Sequence, residues 1–181
     1  MIYISAGHNP EAKGACNDGF CEYDEAVLWV EKIIEILADY YEIKAKFVPT
    51  GSLKQKVNYI NNDPDSDMAV EIHFNSNVNA RGSETLYYPK SKKGKRLAKY
   101  IQDEFEEQYI FQPNRGVKEG WYHSGSTGTR KLLYFLAKTN PVAVIVEPQF
   151  IYHKQDIIDN RCKGCTAIAD AIAEYVRAEW T

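Results

Sequence analysis

Val142-Ala143-Val144-Ile145-Val146 is an unbroken apolar run that ends on a carboxylate, Glu147. A strand with no polar face has no side to turn to water. It belongs in the middle of a sheet covered on both faces, as in parallel sheets wrapped by helices. Ile2-Tyr3-Ile4 opens the chain as a second short apolar strand, Met68 to Phe74 reads as a third, and Thr85 to Tyr88 as another. Ile43 to Phe47 alternates as a strand and is followed by a turn at Pro49-Thr50-Gly51. Between these lie helices. Ala26, Val30, Ile33, Leu37 and Tyr41 recur at helical spacing, which predicts a helix from about Asp24 to Tyr41. Ser52-Leu53-Lys54-Gln55 is a capping box that starts a second helix, and Asp63-Pro64-Asp65 ends it. Leu97, Ile101, Phe105 and Tyr109 mark a third, and Ile168, Ala169, Ile172, Tyr175 and Val176 the last. The alternation predicts an α/β fold: a single three-layer domain over residues 1–181, with a twisted, largely parallel central sheet of about six strands flanked by helices.

Composition narrows the function classes. A net charge of −3 argues against a general nucleic-acid binder, and no stretch approaches the length of a membrane span. The first strand starts at residue 2 with no basic, apolar leader ahead of it, so the chain as given is expected to be made in the cytoplasm without a signal peptide. That setting favours free thiols for Cys16, Cys21, Cys162 and Cys165, with a four-thiolate metal site or a disulfide as the alternatives. The basic run Lys90, Lys92, Lys93, Lys95 and Arg96 is expected to be a solvated face, the alternative being attraction to an anionic polymer.

The strand ends carry the chemistry. His8 follows the first strand in a glycine turn, His73 ends the strand from Met68, Glu147 follows the apolar run, and Glu22 stands just before the first helix. In alternating α/β folds ligands bind beyond the carboxyl ends of the strands, so one sheet edge gathers two imidazoles and two carboxylates. Two histidines and a glutamate suit zinc with a water in the fourth position, its pKa lowered to about 7. A further carboxylate, for which Glu147 is suited, then moves the proton. Plainer roles exist for each. Glu22 can serve the positive end of the first helix, as can Asp24 and Glu25, and Glu147 can pair with Arg115. Glu71 shares a strand face with His73, where it either supports that ring or pairs with a basic neighbour. The Gly120–Gly128 loop, with Trp121, Tyr122 and His123, is a candidate wall of a substrate groove; His153 has no distinctive context.

The chain also resembles the zinc-dependent N-acetylmuramoyl-L-alanine amidases of the type 3 family, which includes sporulation, cell-division and phage lytic enzymes. The matching pieces are Ile4-Ser5-Ala6-Gly7-His8, Gly19-Phe20-Cys21-Glu22 and Glu71-Ile72-His73-Phe74-Asn75-Ser76. They continue with Gly82 to Tyr88, Arg115-Gly116-Val117 and Pro141 to Phe150, in the family's order and across nearly the whole chain. The resemblance implies that His8, Glu22 and His73 hold Zn2+ and that Glu147 is the catalytic carboxylate. It implies hydrolysis of the amide between the lactyl group of N-acetylmuramic acid and L-alanine in peptidoglycan, as in a phage lysin released when the membrane is breached or in a wall-recycling enzyme. A monomer with neither nucleic-acid partner nor membrane insertion is expected. A zinc peptidase or carboxypeptidase cutting the stem peptide and a non-catalytic wall-binding module are the alternatives. The loop Asn9–Phe20 lacks the family's glycine-rich character, and Pro148-Gln149 follows Glu147 in place of small residues.

Overall fold

Six strands form the central sheet of the computed structural model, which describes residues 1–123 and 128–180. In chain order the elements are β1 (Ile2–Ala6), β2 (Cys16–Asn17), β3 (Phe20–Cys21), α1 (Glu22–Tyr41), β4 (Ala45–Phe47), α2 (Leu53–Asn61), β5 (Met68–Ile72) and β6 (Ser83–Tyr87). There follow α3 (Lys92–Glu107), β7 (Asn114–Glu119), β8 (Trp121–His123), β9 (Arg130–Leu132), α4 (Tyr134–Lys138), β10 (Val142–Glu147) and α5 (Lys154–Glu179). The sheet order is β4-β1-β5-β10-β6-β7, parallel except where β6 runs antiparallel to β10. The remaining strands make two small hairpins, β2-β3 and β8-β9. The apolar run at β10 sits inside the sheet, as its composition requires.

Alternation along the strands sorts side chains between two cores. Ile2, Ile4, Val70, Ile72, Val144 and Val146 face a large core with Trp29 and Ile33 of α1, Leu97 and Phe105 of α3, and Ile168 and Ile172 of α5. Tyr3, Ala69, Ala143 and Ile145 face a smaller one with Val57 and Ile60 of α2 and Phe135 of α4. This gives the three layers. Ser5, Glu71, His73 and Glu147 occupy further positions of the second set, so the polar chemistry rises from the smaller core.

Three expectations are corrected. Tyr109 lies beyond the end of α3 with φ 51° and is 80% exposed, while Ile110 and Phe111 turn back to fill the core in its place. Cys16 and Cys21 face each other across the β2-β3 hairpin and are joined by a disulfide; this removes the reading of free thiols there and the four-thiolate site with it. Cys162 and Cys165 are free, one exposed and one buried. The first helix starts at Glu22 rather than near Asp24. Its early amides are taken up by the preceding loop, with Glu22 N donating to Ala15 O at 2.9 Å and Tyr23 N to Lys13 O at 3.0 Å. The capping box of α2 is present in full. No helix among the described residues is long and apolar enough to cross a membrane.

Candidate active site

Glu22 is the centre of the cluster. As the first residue of α1 it projects its carboxylate between two imidazoles: Oε2 lies 3.0 Å from His8 Nε2 and Oε1 lies 2.8 Å from His73 Nδ1. Its oxygens also accept from Ala15 N at 3.2 Å and Phe74 N at 3.1 Å, so the loop and the end of β5 fix it in place. Burial alone would raise its pKa, but the hydrogen bonds from His73 and His8 outweigh that and hold the carboxyl below its ordinary range. Burial also disfavours charge on His73. There the flanking carboxylates of Glu22 and Glu71 prevail, and the imidazole is pushed upward.

The backbone around the cluster is built for it. His8 adopts φ 61°, the left-handed region that costs a side chain strain. Lys56, buried on α2, offsets this by donating its ammonium protons to the carbonyls of Ala6 and His8. Two glycines make room. A Cβ on Gly7 would lie 2.5 Å from His73 Cε1, and one on Gly14 would lie 2.5 Å from Glu22 Oε2 and 2.6 Å from His8 Nε2. The imidazole of His73 therefore packs flat on backbone, and the donors converge on a point that the loop keeps free of side chains. One ligand atom each from His8, Glu22 and His73 lies within 4.8 Å of the others. Two imidazole nitrogens and a carboxylate oxygen at that spacing fit zinc.

Glu147 ends β10 beside this group. The neighbouring strand's His73 donates its amide to Val146 O at 2.9 Å, so the two residues leave the sheet together. Glu147 Oε2 is buried without a hydrogen-bond partner among the described residues. Burial is the main cause that pushes its carboxyl up to about 7; the Glu84 and Glu22 charges add to this, while His73 and Arg115 oppose it. Arg115 does not pair with Glu147. Its Nε donates to Glu84 Oε2 at 2.7 Å, and Lys118 shares the same carboxylate, while Asn75 donates to Oε1 at 2.9 Å. Glu84 lies opposite Glu147 in the β6-β10 register. Its own cations thus occupy the positive charge that would otherwise hold Glu147 ionised.

Other expected residues fall elsewhere. His123 is exposed and His153 binds the carbonyl of Ala80 at 2.9 Å; neither joins the cluster. Lys90, Lys92, Lys93, Lys95 and Arg96 are exposed. Of the Gly120–Gly128 loop, Ser124 to Thr127 lie outside the described residues. A cleft of about 250 Å³ opens beside His8 and His73, walled by Leu53, Leu133, Phe135 and Ile145, with Lys56 and Glu71 also in its lining. Lys56 and Gly14 had not stood out in the sequence. Lys56 had one signal, since it shares the buried α2 face of Val57 and Ile60.

The family model for N-acetylmuramoyl-L-alanine amidase matches residues 2–177. An endolysin of Bacillus phage SPP1 is 23% identical over 163 residues, covering 86% of this chain and 56% of its own length. The chain thus spans little more than half of that curated relative. Among solved structures, an N-acetylmuramoyl-L-alanine amidase from Clostridium difficile 630 superposes with a TM-score of 0.84 at 23% identity, covering 98% of this chain and 97% of the other. At that identity the likeness speaks for the fold alone. The catalytic domain of the CD27L endolysin targeting Clostridia Difficile superposes with a TM-score of 0.71 at 29% identity, covering 98% and 96% of the two chains.

Proposed function

The chain belongs to the N-acetylmuramoyl-L-alanine amidase family, and from that we propose that it hydrolyses the amide joining the lactyl group of N-acetylmuramic acid to L-alanine in peptidoglycan. His8, Glu22 and His73 hold zinc in this reading, Glu147 moves the proton, and residues 1–181 act as one domain and as a monomer. The observation that carries it is the pairing of a three-donor cluster with a buried carboxylate oxygen that has no partner, on one edge of the sheet. The wall is the place of action, as the phage endolysin relative suggests.

Zinc supplies Lewis-acid polarisation of a carbonyl and acidification of a water when it is bound at such a site. The protein's own groups do the rest. Glu147, with a carboxyl near 7, accepts a proton from the attacking water at neutral pH and returns it to the alanine nitrogen as the C–N bond breaks. The strand ends hold Glu147 and His73 in fixed relation, so the proton acceptor does not have to be recruited during the reaction. The cleft beside His8 and His73 offers an apolar wall for the substrate.

Digestion of purified peptidoglycan with mass analysis of the products tests this reading. New alanine amino termini without new reducing sugar ends are expected. Cleavage between stem amino acids would favour a peptidase, and binding without any cleavage a wall-binding module; either overturns the assignment.

A further inference from the structure

We propose that Glu71 is a positioning residue for the metal ligand His73: it fixes which ring nitrogen of His73 carries the proton and so leaves the other free to bind zinc. The inference rests on the reading of His73 as a ligand. Strand alternation places Glu71 and His73 on one face, and their side chains meet, with Glu71 Oε1 3.1 Å from His73 Nε2. The opposite ring nitrogen, Nδ1, is the one that faces Glu22 and the donor cluster.

A neutral imidazole has one N–H and one lone pair. Both nitrogens of the ring face carboxylates, Nδ1 that of Glu22 at 2.8 Å and Nε2 that of Glu71; once Nδ1 gives its lone pair to zinc, the ring's one proton stays on Nε2, where Glu71 accepts it. Glu71 is itself held. Its second oxygen accepts from Ser5 Oγ at 3.1 Å, and Ser5 is its register partner on β1. Both residues are buried, at 2% and 0% exposure, so losing the contact between them leaves a buried polar group to be satisfied. With the ring lying flat on Gly7, the orientation of His73 is set from two sides. The chain therefore carries a line of contacts from Ser5 through Glu71 to His73, running across two strands and ending at the cluster.

The test is zinc affinity, measured by competition with a chromophoric chelator, together with side-chain ¹⁵N–¹H spectra of His73 in the zinc-loaded protein. Glu71→Gln, which keeps an acceptor but loses the charge, is expected to weaken zinc binding about 10-fold, and Glu71→Ala about 100-fold. Wild-type spectra should show the proton on Nε2, and this signal should shift in Glu71→Gln. Ser5→Ala leaves the carboxylate in place and covers the case in which the Glu71 variants fail to fold. Its affinity should fall in the same direction but by less. Wild-type affinity and an unmoved His73 signal in whichever of these variants fold would overturn the proposal. The ligand reading fails separately: His73→Ala would then retain zinc, or the wild type would take up none, and the proposal would fall with it.

Discussion

At the scale of single residues, Glu147 combines a buried oxygen lacking a partner with a carboxyl shifted up to about 7. A group whose folded-state pKa exceeds its ordinary value stabilises the fold fully below that ordinary value. The contribution is lost as the pH rises through the folded-state pKa. Glu147→Gln stays neutral throughout, so the metal-free variant should gain stability on wild type as the pH rises from the ordinary carboxylate value to about 7, by at most about 3 kcal/mol in all. Thermal unfolding at about pH 4 and about pH 8 checks the sign. The same substitution should lower turnover by about 10²-fold or more with zinc content unchanged, measured by product release beside metal analysis. His8→Ala and His73→Ala should instead lose the zinc. The four candidate site residues could be read from the sequence because each ends a strand or begins a helix, where an α/β fold gathers ligands. Lys56 could not. Its partners are backbone carbonyls 50 and 48 residues away, and backbone carbonyls leave no mark in composition.

Elements show the same division between local and distant causes. β1, β4, β5, β6, β10 and the capping box of α2 are written in neighbouring residues, and they stand within a few residues of where spacing put them. The start of α1 is not local, since the loop's carbonyls cap it where a Ser or Asp side chain would otherwise do so. β7 reads Asn114 to Glu119, a polar strand at the sheet edge whose alternation gives little apolar signal. The join between α1 and α5 escaped the sequence too. Glu25, 2% exposed, takes a two-point contact from Arg161 at 2.6 and 2.8 Å and a further bond from Trp29 at 2.9 Å. Arg161→Met should leave that carboxylate buried and without its countercharge. A loss of about 2 kcal/mol is expected, less than for a fully enclosed pair because Arg161 is partly exposed, and urea unfolding at neutral pH measures it.

For the molecule as a whole, a ligand that binds only the folded state adds to stability in proportion to the logarithm of its saturation. Zinc at about 100 times its dissociation constant should raise the unfolding free energy by about 2.7 kcal/mol, and a chelator should remove that gain in calorimetry. His8→Ala should show neither effect. The alternation along β5 has a last consequence. Val70 and Ile72 enter the larger core, while Glu71 and then His73 point the other way. A slip of one residue in pairing with β1 or β10 would exchange the two sets, driving Glu71 into the hydrocarbon interior and turning the imidazole away from its partners. No misregistered molecule retains a working centre in a damaged scaffold. In zinc-loaded wild-type protein, specific activity per mole therefore falls with the misregistered fraction.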